Sequence, residues 1–189
     1  MKKIQTILFV LVCLSLLSAC GAKTQTGTEI TPFTFTNQEG QPFGTEELKG
    51  SIWIADFIFT QCETVCPPMT IEMASLQKKF KDEGIQAEFV SFTVDPTVDT
   101  PTLLKDYLKQ YTDDDSNWHL LTGYTQEAIE LFAREQFQTI VQKPATSNQV
   151  LHGTNFYLID QQGFKIKEYN FVDTSYVEDL MKDIKKLQK

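Results

Sequence analysis

The stretch that decides the fold is residues 51–70, which read SIWIADFIFTQCETVCPPMT. Its first part, residues 52–59, is an apolar run rich in β-branched and aromatic residues, and this composition predicts a buried central strand. Cys62 and Cys66 follow the run, and the Pro-Pro pair after Cys66 opens a helical pattern, because a helix tolerates proline in its first turn. The two sulfurs are therefore predicted to lie where a strand is followed by a helix.

The position of the two cysteines suits reactive thiols. A helix N-terminus lowers the pKa of a nearby thiol and favours the thiolate, the form that attacks disulfides and binds metals. The spacing is Cys-x-x-x-Cys; if the segment is helical, positions i and i+4 share one face and the sulfurs can converge on a third atom. A plain stabilising disulfide is the alternative, although closing so short a loop removes little entropy from the unfolded chain.

The N-terminus has the composition of an export signal. Lys2 and Lys3 precede an apolar run, residues 7–19, that is shorter than the ~20 residues needed to span a bilayer. The run ends in Leu-Ser-Ala-Cys, which resembles a bacterial lipobox with Cys20 as the lipidated residue; an ordinary signal peptide with a chance cysteine is the alternative. We therefore predict a signal peptide at residues 1–19, a flexible tether at 20–29 and one folded domain at 30–189.

Length and charge narrow the class of protein. A chain of 189 residues can form one domain with a full core and needs no disulfide staples. The formal net charge of −8 argues against binding of nucleic acid. Removal of the signal and lipidation of Cys20 would leave Cys62 and Cys66 as the free thiols of a protein outside the cytoplasmic membrane, where dithiols tend to be oxidised.

Hydrophobic periodicity predicts the order β-α-β-α-β-α-β-β-α after an N-terminal hairpin. The helix after the cysteines carries an apolar stripe that includes Met69 and Met73. Thr125 is predicted to cap a helix carrying Ala128, Leu131 and Phe132, with Phe137 as a further candidate. Residues 140–151 have no clear period and are predicted to form a long loop or a ragged hairpin. The whole order is typical of an α/β fold, with a mixed central sheet and helices on both faces.

This element order resembles that of thioredoxin. Asp56 lies six residues before Cys62 inside the apolar strand, at the offset where thioredoxins carry a buried aspartate that helps to move a proton off the active thiol. The alternative for Asp56 is a residue at a strand edge that reaches water.

Within the thioredoxin-like proteins, the chain resembles the Sco/SenC family of copper-binding proteins, which take part in cytochrome c oxidase assembly. The motifs that carry the resemblance are FTQCETVCP at residues 59–67, SFTVDP at 91–96 with DTP at 99–101, WHLLTG at 118–123 and LHGT at 151–154. One departure is Glu63, since many members have proline after the first cysteine.

The sequence contains two histidines, His119 and His152. His119 is interpreted as a partly exposed structural residue beside Trp118. His152 precedes a predicted strand at residues 155–160, in the loop where the thioredoxin fold places a cis-proline against the cysteine pair. No proline lies between Pro144 and that strand, so metal access to the sulfurs is not hindered there. In this fold His152 is therefore expected to join Cys62 and Cys66 as a metal ligand.

Two thiolates and one imidazole favour copper, as Cu(I), Cu(II) or both, with one ion per monomer. Structural zinc needs four protein ligands, and the sequence offers no fourth. Asp95 is predicted to orient His152 or to reach a bound Cu(II) from outside the set of direct ligands, with a turn or capping role as the alternative. Asp56 is predicted to support the ligands indirectly as well. Met69 and Met73 are assigned to the core because of their helical spacing.

The resemblance implies a copper chaperone anchored by lipid to the extracytoplasmic side of the cell membrane, and we expect this carrier role rather than an enzymatic one. Its expected partners are the oxidase subunit that carries the dinuclear copper (CuA) site, an unidentified thiol reductant and a copper donor. The alternative is a thiol-disulfide oxidoreductase, with Cys62 as the attacking thiolate and Cys66 as the resolving thiol, which reduces the copper-ligand cysteines of that subunit. A peroxidase is less well supported, because no paired Trp/Gln signature accompanies the cysteines.

Overall fold

A computed structural model describes residues 27–173 and 175–188; the predicted signal peptide and most of the predicted tether lie outside the described residues. The strands are β1 (Thr28–Glu29), β2 (Thr34–Thr36), β3 (Pro42–Gly44), β4 (Trp53–Ile58), β5 (Glu88–Thr93), β6 (Trp118–Leu121), β7 (Val141–Gln142), β8 (Leu151–His152), β9 (Asn155–Ile159) and β10 (Phe164–Asn170). The helices are α1 (Cys66–Asp82), α2 (Pro101–Leu108), α3 (Gln126–Phe132), which continues into a π-helical turn (Ala133–Phe137), and α4 (Tyr176–Leu187). Over the described ranges, none of these helices is long and apolar enough to cross a membrane.

The central sheet is mixed, as predicted, with the strand order β1-β10-β9-β4-β5-β6. Strands β4, β5 and β6 are parallel, whereas β9 and β10 continue the sheet in antiparallel register. Thr28 and Glu29 pair with Lys165 and Phe164 at the outer edge of the sheet. Residues 28 and 29, which the sequence assigned to the tether, therefore form part of the edge of the sheet.

Helices cover both faces of the sheet, and adjacent residues of β9 show this directly. Phe156 packs against Tyr176 of α4, with ring centroids 5.6 Å apart. Its neighbour Tyr157 packs against Phe137 at the end of α3, at 5.0 Å. Because successive side chains of a strand point to opposite faces, α4 and α3 lie on opposite sides of the sheet.

The apolar face of α3 differs from the predicted one. Leu131 is 44% exposed, and the core receives Ile129, Ala133 and the predicted candidate Phe137. Ile129 and Leu131 are two residues apart, which is about 200° around an α-helix, so both cannot face the core. Thr125 caps the helix as predicted, accepting a hydrogen bond from the backbone N–H of Ala128 at 3.2 Å.

Every residue of β4 is buried, and its C-terminal end leads into the cysteine loop. Strand β5 runs parallel to β4 and ends at Thr93, two residues before Asp95. The carboxyl ends of parallel strands lie at the same edge of a sheet, so the cysteine loop and the Asp95 turn are neighbours. The β7–β8 hairpin forms a separate two-stranded sheet, and His152 is the last residue of β8.

Candidate metal centre

The structure brings the three predicted ligands together. One ligand atom each from Cys62, Cys66 and His152 lies within 4.8 Å of the other two, and Cys66 Sγ lies 3.2 Å from His152 Nε2. All three residues are buried. Among the residues that the structure describes, this is the one group of at least three His, Cys, Asp or Glu side chains with such spacing.

The two cysteine sulfurs approach each other because the loop before α1 folds back on the helix, and not because both cysteines lie in one helix. Cys66 is the first residue of α1, whereas Cys62 lies in the loop before it. The backbone N–H of Cys66 donates a hydrogen bond to Cys62 Sγ at 3.3 Å. The first N–H groups of a helix have no partner within the helix, so the sulfur of Cys62 satisfies one of them. The i,i+4 geometry considered from the sequence is therefore replaced by a loop that folds back on the helix N-terminus.

The pKa values of the two thiols are shifted in opposite directions. Hydrogen bonding from Cys66 lowers the pKa of Cys62, and His152 and backbone N–H groups lower it further against the effect of burial. Burial and the hydrogen bond with Cys62 raise the pKa of Cys66. The pair therefore holds one proton, on Cys66, and Cys62 is the thiolate.

The imidazole of His152 is oriented by its own backbone neighbour. Its Nδ1 lies 2.9 Å from the carbonyl oxygen of Gly153, and since a carbonyl can only accept, we assign the proton to Nδ1. This tautomer directs the lone pair of Nε2 toward Cys66 Sγ. Phe59 packs edge-on against the ring, with centroids 5.8 Å apart. A histidine that donates one ring N–H to a backbone carbonyl is the usual arrangement of a metal ligand.

Asp56 is fully buried in β4, so the alternative of an aspartate that reaches water is wrong. Neither of its carboxylate oxygens accepts a hydrogen bond from a described group. Burial raises the pKa of Asp56 to about 7, with Ser91 and His152 only partly offsetting the effect. Its charge in turn contributes to the raised pKa of Cys66, which indicates that the two side chains interact.

Asp95 is also buried, but its carboxylate is hydrogen-bonded to partners other than His152. Lys143 Nζ lies 2.6 Å from its Oδ1, and the hydroxyl of Thr97 donates to the same oxygen at 2.9 Å. Direct orientation of His152 by Asp95, which the sequence suggested, is not what these contacts show. Asp95 is connected to the site by its ion pair with Lys143. The sequence did not single out Lys143.

Asp99 is a second residue that the sequence did not identify. It is buried, and it accepts hydrogen bonds from the backbone N–H of Thr60 at 3.1 Å and from the Thr60 hydroxyl at 2.5 Å. The Thr93 hydroxyl donates to it as well. Burial raises the pKa of Asp99. The first residue of the cysteine loop is thus fixed to the turn that follows β5.

His119, Met69 and Met73 are predicted from the sequence to have structural roles, and their contacts agree with this. His119 stacks on Phe43, with ring centroids 3.8 Å apart, and its Nε2 lies 3.0 Å from a carboxylate oxygen of Glu88. Met69 and Met73 are fully buried in the core. Both sequence-based interpretations are confirmed.

Comparison with known proteins agrees with the fold and the site. A family model described as SCO1/SenC matches residues 21–189. A solved SCO1/SenC family lipoprotein from Bacillus anthracis has 48% sequence identity and a TM-score of 0.84, covering 89% of this chain and 100% of its own.

Two further solved structures are similar. BsSco, described as a Sco family cytochrome c oxidase assembly protein with a disulfide switch, is 46% identical with a TM-score of 0.79, covering 88% of this chain and 97% of its own. Arabidopsis thaliana ScoI with copper bound is 25% identical with a TM-score of 0.70, covering 82% and 98%. The fold is thioredoxin-like, as predicted, and the chain belongs to the SCO1/SenC family.

Proposed function

We propose that this protein binds one copper ion through Cys62 Sγ, Cys66 Sγ and His152 Nε2 and delivers it to the dinuclear copper (CuA) centre of cytochrome c oxidase. The observation that carries the proposal is the buried Cys-Cys-His group at the N-terminus of α1. The copper bound to the Arabidopsis relative and the assembly role stated for BsSco support it.

The chemistry of the three donors fits copper better than zinc. Thiolates are soft ligands that suit Cu(I), and imidazole suits both copper states. Structural zinc is nearly always held by four protein ligands, and no fourth His, Cys, Asp or Glu belongs to the group within the described residues. A three-ligand site leaves a position open, which a carrier needs because the ligand of the recipient must bind before the donor releases the ion.

The exposure of the three residues supports a direction for the transfer. Cys66 is fully buried, whereas Cys62 and His152 are 8% and 9% exposed. We therefore expect a recipient ligand to approach from the side of Cys62 and His152. Metal binding requires that Cys66 lose its proton, and Asp56 beneath it is the nearby carboxylate that can take part in this step.

We further propose that the protein is attached to the extracytoplasmic face of the cell membrane through a lipid on Cys20. The lipobox-like sequence before Cys20 supports this, as does the description of the Bacillus anthracis relative as a lipoprotein. Cys20 lies outside the described residues. The CuA centre is exposed on that same side of the membrane, so the anchor would hold the carrier close to its recipient.

A thiol-disulfide oxidoreductase is the second candidate function, and one observation favours it. The lowered pKa of Cys62 makes this residue a nucleophile with Cys66 as its resolving partner, and BsSco is described as having a disulfide switch. Dithiol exchange needs the two cysteines but not His152. Variants of His152 therefore separate the two functions.

The test is copper titration of the reduced full-length protein and of two histidine variants. We expect one copper per monomer and a strong thiolate-to-Cu(II) absorption in the wild type; in His152→Ala the absorption should disappear and the copper affinity should fall by orders of magnitude. The matched control is His119→Ala, which removes the other histidine and should leave copper binding unchanged. If His152→Ala keeps the spectrum and the affinity while dithiol exchange continues in all three proteins, the oxidoreductase is the better account.

A further inference from the structure

We propose that Lys143 is a positioning residue of the metal centre, whose ion pair with Asp95 holds the hairpin that carries His152 in register with the cysteine loop. The inference rests on the copper-binding function proposed above. It concerns a residue that neither binds the ion nor contacts a ligand atom, and it gives the buried Asp95 a role.

The hairpin that presents His152 has little pairing of its own. Strands β7 and β8 share two residue pairs, Val141 with His152 and Gln142 with Leu151, and they are not hydrogen-bonded into the central sheet. A two-stranded hairpin is at best marginally stable in water unless it packs against other structure. The position of His152 therefore depends on what fixes the hairpin to the domain.

Lys143 provides such a fixation, immediately after β7. Its Nζ lies 2.6 Å from Asp95 Oδ1 and donates to the Thr97 hydroxyl at 3.1 Å. Its backbone N–H donates to a carboxylate oxygen of Glu130, in α3, at 3.0 Å. The side chain of Asp95 is 2% exposed and that of Lys143 24%, so the pair is shielded from water and stronger than a surface ion pair.

The same turn also holds the cysteine loop. The backbone N–H of Asp99 donates to the carbonyl oxygen of Asp95 at 2.9 Å, and the Asp99 carboxylate accepts both hydrogen bonds from Thr60. The cysteine loop and the β7–β8 hairpin, the two arms of the metal centre, are thus both attached to residues 95–99. The loop is attached through Asp99 and the hairpin through Lys143. The Lys143–Asp95 pair therefore sets the distance between the imidazole and the two sulfurs.

Besides the approach of His152 Nε2 to Cys66 Sγ, two further contacts join the two arms. Phe59, just before the cysteine loop, packs edge-on against the His152 ring with centroids 5.8 Å apart. Gln149 Nε2 donates to the carbonyl oxygen of Gln61 at 3.3 Å, and this hydrogen bond is exposed. It cannot replace a shielded ion pair. Loss of the Lys143 ammonium group would also leave the carboxylate of Asp95 buried without its cation, which would push the turn and the hairpin apart.

The experiment compares Lys143→Met with Lys143→Arg in the reduced full-length protein, with copper as the probe. We expect Lys143→Met to weaken copper binding about 10- to 100-fold and to change the thiolate-to-Cu(II) absorption, and Lys143→Arg to restore most of both. The control for loss of a lysine ion pair is Lys185→Met, which removes a more exposed pair with Glu83 (2.7 Å) that joins α4 to the residue after α1. That control should bind copper like the wild type.

A double-mutant cycle distinguishes positioning of His152 from general structural damage. In a His152→Ala background the two thiolates still hold Cu(I) with a weaker, measurable affinity, and Lys143→Met should cause no further loss of that affinity, because the imidazole it positions is absent. An equal loss in both backgrounds, or wild-type binding by Lys143→Met, would overturn the inference. If His152→Ala itself binds copper like the wild type, the proposed function fails, and the inference falls with it.

Discussion

Asp56 provides a quantitative test of the physics of this site, through the variant Asp56→Asn. The carboxylate is fully buried, and burial raises its pKa from the ordinary 3.8 to about 7, with Ser91 and His152 offsetting only part of the effect. An acid whose pKa is higher in the folded state binds its proton more tightly there. Its contribution to stability is therefore complete below pH 3.8 and is lost as the pH rises through about 7.

The magnitude follows from the size of the shift. One pKa unit corresponds to about 1.4 kcal/mol, so ionised Asp56 costs the folded state about 4 kcal/mol above neutral pH. About 1.5 kcal/mol of this cost is already present at pH 5, and the remaining 2–3 kcal/mol develops between pH 5 and pH 8. Asparagine has nearly the same shape and does not titrate. The free energy of unfolding of Asp56→Asn relative to the wild type should therefore rise by about 2–3 kcal/mol between these two pH values.

The assay is urea unfolding of the reduced, copper-free wild type and variant at pH 5 and pH 8. Any constant cost of burying the amide cancels in the comparison between pH values, and other titrating groups are common to both proteins. Asp160→Asn is a useful control, because that aspartate accepts backbone hydrogen bonds in the turn between β9 and β10, far from the thiols. A wild-type-to-variant difference that stays the same at both pH values would refute the assignment of a raised pKa to Asp56.

Three further predictions concern the surroundings of the site. Cys62 should react with iodoacetamide before Cys66, at a rate nearly constant from pH 6 to pH 8, because its pKa is lowered; a tenfold rise per pH unit would contradict this. Gly153→Ala should cost about 1–3 kcal/mol in urea unfolding, since a Cβ there would lie 2.1 Å from Thr139 Oγ1; adding Thr139→Ala should restore stability, and no restoration would show that the clash is not the cause. Cys20→Ser should release the protein from the membrane fraction, and continued attachment would count against lipidation.

The parts of the fold that could be predicted are those with a strong local pattern. Strand β4 and helix α1 follow from an unbroken apolar run and from a stripe of buried methionines. The approach of His152 to Cys66 joins residues 86 apart in sequence, and it could be predicted only because the chain resembles a known family.

The parts that could not be predicted lack such a pattern. Lys143 meets Asp95 across 48 residues, from a segment with no hydrophobic period, so nothing in its sequence neighbourhood identifies its partner. Strands of two residues, such as β1, are too short to show the alternation that identifies a strand. The face of α3 was mispredicted because Ile129 and Leu131 are both apolar and lie on opposite sides of the helix, so the local pattern does not decide which of them is buried.

The sharing of one ion by a distant imidazole and two neighbouring sulfurs can be tested by the copper content of the reduced protein after desalting. The measurement compares the wild type, His119→Ala and His152→Ala. We expect one copper per chain in the first two proteins and a large loss in the third. An equal copper content in all three, held with equal affinity, would show that His152 does not bind the ion.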